Sequence, residues 1–102
     1  MAELVLDKKI LDDNNKKVVI HQEIPIAIVK YNGKIHAFDN RCPHRGGSLY
    51  KGSIKLGYIS CPLHNWEFNL ESGLCRENKN IKINNYKVRE SKNSIIIKFD
   101  KS

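Results

Sequence analysis

The sequence is poor in the features that mark disulfide-rich, exported or membrane-spanning proteins. It has 102 residues and only three cysteines, an odd number that cannot all form intramolecular pairs. No apolar run is long enough for a transmembrane helix or for the hydrophobic region of a signal peptide. We therefore expect a cytoplasmic chain whose cysteines bind metal or remain thiols, because disulfide frameworks belong to oxidising compartments.

Acidic residues are also scarce, since 11 acidic side chains face 18 basic ones and the formal net charge is +7. Nucleic-acid binding proteins concentrate such charge on one face or one helix, whereas these lysines are spread along the whole chain. We therefore predict neither nucleic acid nor membrane as a partner. Diffuse positive charge can still steer encounters with an acidic protein surface or an anion.

Helical periodicity is almost absent, and short runs rich in β-branched residues take its place. Asn32-Gly33 lies between alternating runs and is a strong hairpin signal, so residues 26–30 should pair with 34–38. Short, regularly spaced strands of this kind indicate an all-β antiparallel sandwich or barrel. One domain over residues 1–102 accounts for the whole chain. The predicted strands are 16–21, 24–38, 54–61, 65–70, 81–90 and 94–99.

Two short segments, "CPHRGG" and "CPLHNW", carry the chemistry of this sequence. Each supplies one cysteine and one histidine, spaced C-x-H and C-x-x-H with sixteen residues between the pairs. The first pair follows a strand that should end near Asp39, and the second follows a strand that should end near Ser60. Two such hairpin tips can approach each other and enclose a metal centre. The candidate ligands are Cys42, His44, Cys61 and His64.

Proline and glycine punctuate both segments in a matching way. Pro43 and Pro62 stiffen the tips by fixing φ and removing an N–H that would need a partner. Gly46 and Gly47 let backbone amides come close to a bound anion or sulfide. This punctuation makes four unrelated side chains a poor explanation of the pattern.

Two metal centres fit a donor set of two cysteines and two histidines. One tetrahedral zinc is the simple structural alternative. Zinc fingers, however, usually pair cysteine with cysteine and histidine with histidine, whereas each segment here offers one of each. A 2Fe-2S cluster of Rieske type requires two cysteines on one iron and two histidines on the other. The mixed pairs therefore favour the iron–sulfur cluster, and a zinc-stabilised binding module stays as a remote alternative.

"CPHRGG" and "CPLHNWEF" resemble the two cluster-binding loops of Rieske proteins, and the resemblance covers nearly the whole chain. It implies one 2Fe-2S cluster per chain, with Cys42 and Cys61 on one iron and His44 and His64 on the other. It also implies the Rieske fold, an antiparallel β-sandwich base with a small cluster-binding lobe at about residues 38–73. Such a chain carries electrons and is not catalytic alone.

The sequence departs from the high-potential branch of that family. Those proteins have a bridging cysteine in each loop, where this chain has Gly47 and Leu63. They also have a serine and a tyrosine that donate hydrogen bonds to cluster sulfurs, where this chain has Trp66 and Phe68. Because those hydrogen bonds raise the reduction potential, their absence predicts a low-potential carrier.

Two low-potential subfamilies compete. The chain is similar to the small subunit of NAD(P)H-dependent nitrite reductase, which would pair it with a large reductase subunit, and this is the favoured interpretation. The alternative is the ferredoxin of an aromatic-ring-hydroxylating dioxygenase system, which would pair it with an NAD(P)H-dependent reductase and a terminal oxygenase. Residues that favour the first are Gly73, Leu74, Cys75, Glu77, Tyr86 and Val88.

The remaining histidines and the third cysteine receive plainer interpretations. A terminal oxygenase would need two further histidines and a carboxylate for its mononuclear iron, and His21 and His36 lie in strand-like runs instead. Cys75 lies outside both loops and is predicted to be a small core residue or a thiol. Arg45, beside a candidate ligand, could meet an acidic partner or raise the cluster potential, or could simply be solvated.

Overall fold

The computed structural model describes residues 2–11, 14–43, 47–63 and 65–99. These residues form nine strands in two antiparallel sheets, with 3₁₀ turns at Lys8–Leu11 and Leu49–Lys51. The strands are β1 (Ala2–Asp7), β2 (Lys16–His21), β3 (Ile24–Tyr31), β4 (Lys34–Asp39), β5 (Ile54–Lys55), β6 (Tyr58–Ser60), β7 (Glu67–Asn69), β8 (Asn85–Glu90) and β9 (Ser94–Phe99).

The larger sheet has six strands in the order β1-β9-β8-β4-β3-β2 and curls into a nearly closed barrel. The sheet closes on itself where the ring of His21 on the edge strand β2 stacks on that of Phe99 on β9, the neighbour of the other edge strand β1, with centroids 4.4 Å apart. Closure of this kind leaves fewer unpaired strand edges for aggregation. The barrel is the base on which the smaller sheet rests.

Strand β3 is buried on both faces, which explains its continuous apolar run. Ile26 and Ile28 point into the barrel core, together with Ile95 and Ile97 of β9. Alternate residues point to the opposite face because the side-chain period of a strand is two. On that face Ala27, Val29 and the neighbouring Phe38 of β4 belong to a second core. The outer face of β3 and β4 is thus the floor under the smaller sheet.

The smaller sheet has the order β5-β6-β7 and packs on that floor. Ile59 of β6 and Phe68 of β7 lie opposite each other in register and are fully buried in the second core. The 3₁₀ turn contributes Leu49 to the same core. All three cysteines lie in this core too, so the part of the chain that carries the Cys/His segments is anchored by apolar packing.

The predicted fold class is confirmed: the chain is all-β and antiparallel, with a small lobe on a larger base. The hairpin at Asn32-Gly33 is present, but its register differs by one residue from the prediction, because residues 26–30 lie opposite 35–39 and not 34–38. Organisation as one domain over residues 1–102, with a lobe at 38–73, stays a prediction. Within the described ranges no helix is long and apolar enough to cross a membrane.

Two predicted strands differ from the structure, and one strand was missed. The run 54–61 is not one strand, because Leu56 and Gly57 adopt positive φ (54° and 84°) and make a tight turn between β5 and β6. The run 81–90 becomes strand only from residue 85. Strand β1 was not predicted at all, since "AELVLD" is short and its pairing partner β9 lies at the other end of the chain.

Candidate metal centre

The two cysteines of the paired segments lie at the ends of strands, as the sequence predicts. Cys42 follows β4, which ends at Asp39, and Cys61 directly follows β6, which ends at Ser60. Both thiols are nearly inaccessible, with 2% and 1% of their surface exposed. The prolines next to them, Pro43 and Pro62, are exposed. Each segment therefore leaves the core at its cysteine and continues at the surface.

Each loop is closed by an equivalent backbone hydrogen bond. The N–H of Cys42 donates to the carbonyl of Gly47 (2.8 Å), and the N–H of Cys61 donates to the carbonyl of Trp66 (2.7 Å). In each case the acceptor lies five residues after the cysteine. The second loop has an added turn, in which the N–H of Asn65 donates to the carbonyl of Cys61 (2.8 Å). The structure thus contains two similar loops, each beginning with a buried thiol.

The two loops lie against each other. A methyl group built on Gly47 of the first loop would stand 3.0 Å from Leu63 Cγ and 3.2 Å from Cys61 Sγ of the second loop. Distances this short leave no room for a side chain at position 47 without movement of its neighbours. A side chain at position 47 would therefore displace the side chain of Leu63 or the thiol of Cys61 by a few tenths of an ångström. The positions of the bridging cysteines in the high-potential branch, Gly47 and Leu63, are in contact here.

Asn40 fastens the two ends of the first loop. Its side-chain amide donates to Ser48 Oγ (2.9 Å), and its side-chain oxygen accepts from the N–H of Tyr50 (2.6 Å). Its carbonyl accepts from the N–H of Leu49, and its own N–H donates to the carbonyl of Pro25 on β3. Asn40 is only 8% exposed, so these bonds are shielded from water. The sequence pattern did not predict this role; its one signal is a short amide at a strand end beside "RCPH".

An ion pair fixes the residue that precedes Cys42. Arg41 donates to both carboxylate oxygens of Asp39, from Nε (3.0 Å) and Nη2 (2.7 Å). Burial alone would raise the pKa of Asp39, but the hydrogen bonds and charge of Arg41 outweigh it and lower that pKa. Because the pKa of Asp39 is lower in the folded chain than in the unfolded chain, its carboxylate stabilises the fold at any pH above the unfolded-state pKa. This stabilisation is lost as the pH falls through the folded-state pKa.

Lys16 joins the barrel to the segment after the first loop. Its Nζ lies 2.5 Å from the carbonyl oxygen of Gly52 and 3.3 Å from that of Tyr50. Burial lowers the pKa of Lys16, yet the two carbonyls give its ammonium group acceptors. Nothing in the sequence distinguishes this lysine from the others, because the contact crosses from β2 to the lobe.

We expect substitution of Asn40 by alanine to loosen the first loop. It removes two buried side-chain hydrogen bonds and leaves the N–H of Tyr50 without its acceptor, which should cost about 2–4 kcal/mol of unfolding free energy. Ser48→Ala removes only one of these bonds and should cost about 1 kcal/mol. Urea unfolding of both variants checks this. Equal effects would show that the bond to Tyr50 contributes little.

The two histidines of the candidate set, His44 and His64, lie outside the described residues, as do Arg45 and Gly46. The structure therefore places the two cysteines of the set, and the histidine assignment stays a prediction. Cys75 is buried in the same core, with Sγ 3.7 Å from Glu77 Oε1 and its N–H bonded to the carbonyl of Ile81. It lies outside both loops, in agreement with its predicted place as a core residue.

The described residues thus form an all-β domain with two touching loops, each of which begins with a buried cysteine. Residues 2–87 match the family model described as the Rieske [2Fe-2S] domain. The chain belongs to the Rieske [2Fe-2S] domain family. Membership implies a 2Fe-2S cluster as the cofactor.

Curated relatives share about half of this chain. The ferredoxin component of the alkene monooxygenase system of Xanthobacter autotrophicus is 38% identical over 52 residues, which are 50% of this chain and 43% of that protein. Apoptosis-inducing factor 3 of Homo sapiens is 42% identical over 48 residues, 47% of this chain but 8% of that protein. The chain thus matches less than half the length of these relatives.

Solved structures share the fold over nearly the whole chain. The ferredoxin of carbazole 1,9a-dioxygenase from Nocardioides aromaticivorans IC177 has a TM-score of 0.81, covers 95% of this chain and 97% of its own, and is 19% identical. A chain of the reduced complex between oxygenase and ferredoxin in carbazole 1,9a-dioxygenase has a TM-score of 0.80 and is 23% identical, with 93% of this chain and 27% of that chain covered. At these identities the likeness concerns the fold.

Cys42 and Cys61, the two candidate ligands that the structure describes, fit a 2Fe-2S cluster. A Rieske cluster needs two thiolates on one iron, and the structure supplies two buried cysteines on loops that touch. Soft thiolate donors suit iron–sulfur centres. The glycine at position 47 leaves the space beside Cys61 Sγ free of a side chain. The residues present are compatible with the cofactor of the family.

Proposed function

We propose that this protein is a one-electron carrier, the Rieske ferredoxin component of an oxygenase system. The observation that carries the proposal is the pair of buried cysteines on two touching loops, each of which is closed by an equivalent backbone hydrogen bond. The near-complete mutual coverage with the Nocardioides ferredoxin supports a ferredoxin. The sequence identity to the alkene monooxygenase ferredoxin supports it independently.

The nitrite reductase interpretation, favoured from the sequence, has less support. None of the relatives and structures described above is a nitrite reductase subunit, whereas two of them are ferredoxins of oxygenase systems. The residues that favoured it, such as Gly73 and Cys75, have structural explanations. Gly73 has positive φ (81°) and packs against the carbonyl of Ile83, and Cys75 is in the core. We therefore prefer the oxygenase ferredoxin over the nitrite reductase subunit.

Within this proposal Cys42 and Cys61 hold one iron, and His44 and His64 hold the other. The bound cluster supplies reversible one-electron exchange. The chain's own residues hold the ligands in place: the matched hydrogen bonds fix both cysteine backbones, and Asn40 ties the first loop to β3. Burial of both thiols keeps water away from the cysteine sulfur atoms. Exclusion of water is one of the conditions that tune the reduction potential of a bound cluster.

The partners follow from the same proposal. An NAD(P)H-dependent reductase would donate the electron, and a terminal oxygenase would accept it. The carbazole dioxygenase complex that shares the fold pairs an oxygenase with a ferredoxin. A cytoplasmic location stays part of the same proposal.

Reconstitution with iron and sulfide tests the cofactor and its potential together. We expect two irons and two sulfides per chain and a Rieske electron paramagnetic resonance signal. The midpoint potential should be negative at neutral pH, because neither Trp66 nor Phe68 carries a hydroxyl for the sulfurs. Phe68→Tyr should raise the potential. Spectroscopic redox titration of both proteins checks this.

Two results would contradict the proposal. Stoichiometric zinc without acid-labile sulfide, in protein supplied with iron and sulfide, would replace the electron carrier by a zinc-stabilised module. A midpoint potential well above zero would mean that backbone amides supply the sulfur hydrogen bonds, and the low-potential carrier would have to be abandoned.

A further inference from the structure

A lysine of the barrel holds the segment between the two cysteine loops. The ammonium group of Lys16 on β2 lies 3.3 Å from the carbonyl oxygen of Tyr50 and 2.5 Å from that of Gly52. Lys16 lies opposite Val29 in register, and Val29 faces the core under the smaller sheet. Paired residues on neighbouring strands share a face of the sheet, so the side chain of Lys16 is on the side of the lobe.

Tyr50 connects this contact to the first loop. Its N–H donates to the side-chain oxygen of Asn40 (2.6 Å), while its carbonyl accepts from Lys16. Asn40 lies two residues before Cys42, and its side-chain amide donates to Ser48 at the other end of that loop. Movement of Tyr50 away from Lys16 would therefore reach both ends of the first loop through hydrogen bonds.

Gly52 connects the same contact to the second loop. A methyl group built on Gly52 would stand about 1.6 Å from the carbonyl oxygen of Ser60, so the two backbones are in direct contact. Ser60 is the residue before Cys61, and its N–H donates to the carbonyl of Ser53 (2.9 Å). Displacement of Gly52 would therefore be transmitted to the second cysteine. Lys16 thus holds one short segment on which both loops depend.

The charge of Lys16 is not neutralised by a carboxylate. Its two acceptors are backbone carbonyls, and within the described ranges no aspartate or glutamate forms an ion pair with it. The side chain is partly buried, so water and salt screen this charge less than that of an exposed lysine. One-electron reduction adds a negative charge to a bound cluster, and a nearby cation favours that state.

We propose that Lys16 is a positioning residue of the cluster, which fixes the segment under both cysteine loops and raises the reduction potential through its charge. This inference rests on the proposed function, because it gives Lys16 a part in the electron carrier described above. Lys16 acts through Tyr50 and Gly52 and needs no contact with the cluster itself. Its removal should therefore change the properties of the cluster as well as the stability of the fold.

Three substitutions at position 16 and one beside it separate the two effects. Lys16→Met keeps an unbranched apolar side chain but removes the charge and the donor, whereas Lys16→Arg keeps the charge and offers several N–H donors. Lys16→Gln removes the charge but keeps a polar side chain. Lys17→Met is the matched control, because it makes the same change in net charge at an exposed residue. Lys17 lies opposite Ile28 of the barrel core, so its side chain is on the other face of β2.

Hydrogen–deuterium exchange of the holoprotein, followed by mass spectrometry, tests whether Lys16 fixes the segment. In Lys16→Met, peptides that cover residues 47–56 should exchange roughly tenfold faster than in the unaltered protein, because hydrogen bonds to a charged group contribute this much to local stability. Peptides from the β8–β9 hairpin, residues 85–99, should exchange at an unchanged rate. Lys17→Met should leave both sets of peptides unchanged.

Redox titration and electron paramagnetic resonance test the effect on the cluster. The midpoint potential of Lys16→Met should be more negative than that of the unaltered protein, because the reduced state loses a nearby cation. Its signal in the reduced state should be broader, because the two loops are held less uniformly. Lys16→Gln should lower the potential as well, and it decides the effect of charge if Lys16→Met does not fold. Lys16→Arg and Lys17→Met should keep potentials close to the unaltered value.

Three results would overturn the proposal. Equal shifts of the potential in Lys16→Met and Lys17→Met would show that only net charge matters. A lower unfolding free energy in Lys16→Met, with unchanged exchange, signal and potential, would make Lys16 an ordinary structural contact. A potential in Lys16→Arg as low as that in Lys16→Gln would refute the contribution of charge. An unaltered chain that assembles no iron and sulfide would instead refute the proposed function, a result visible before any variant is compared.

Discussion

Cys42→Ser and Cys61→Ser should each abolish the 2Fe-2S cluster, whereas Cys75→Ser should retain it at full occupancy. Serine is a much poorer ligand for iron–sulfur iron than a thiolate, and the remaining cysteine alone cannot hold the centre. The measurement is iron and acid-labile sulfide per chain, together with the electron paramagnetic resonance signal of the reduced protein.

The Cys75 variant is a stringent control because all three cysteines lie in one core with 1–2% exposure. A buried hydroxyl at position 75 has an acceptor available, since Glu77 Oε1 lies 3.7 Å from the present sulfur. General damage from a buried Cys→Ser change should thus be similar or smaller at this site. Loss of the cluster in Cys75→Ser would show that the third cysteine participates, and an intact cluster in Cys42→Ser would remove the assignment of that ligand.

Gly52→Ala should have the largest effect on stability of any small substitution near the site. A Cβ at this position would stand about 1.6 Å from the carbonyl oxygen of Ser60 and 2.8 Å from its carbonyl carbon. Both are backbone atoms of the residue before Cys61, so no side-chain rotation can relieve the overlap. We expect a loss of about 3 kcal/mol or more in unfolding free energy, with poor cluster retention because β6 must move.

The control for this prediction is Gly33→Asn. Gly33 has positive φ (77°), and no atom lies within 4 Å of the point where a Cβ would stand. Asparagine tolerates the left-handed region better than other residues with a side chain. The unfolding free energy of this variant should change by about 1 kcal/mol or less. Urea unfolding and thermal denaturation of both variants give the comparison. A Gly52→Ala protein as stable as the control would mean that the close contact with Ser60 is not maintained in solution.

The strand prediction succeeded where local signals were sufficient. Asn32-Gly33 specifies a hairpin through left-handed backbone at both positions, and the structure has φ of 52° and 77° there. It failed at Leu56, which has positive φ in a turn, because a bulky apolar residue there made the run look like one continuous strand. It also failed at β1, because the strand acquires its partner from the opposite end of the sequence. Contacts between distant segments leave little trace in a local pattern.

For the candidate site too, local sequence patterns predicted some features and not others. The two Cys-Pro segments, each with a histidine close behind, were sufficient to predict the metal chemistry and the two cysteines that the structure brings into one core, since few other roles use those residues at that spacing. The residues that hold the loops could not be predicted, because their roles arise from contacts across the chain. Asn40 reaches Tyr50, and Lys16 reaches Gly52, only after the barrel has placed β2 and β4 beside the lobe.

The sequence by itself determined the two Cys/His segments, the all-β class and the excess of basic residues, because these depend on residue identity and local spacing. Only the tertiary structure decided that the loops touch at Gly47, that Cys75 shares their core without joining them, and that Lys82 stands beside Arg41. The physical reason is that apolar burial on the outer face of β3 and β4 fixes the lobe, and with it the contacts between the lobe and the barrel.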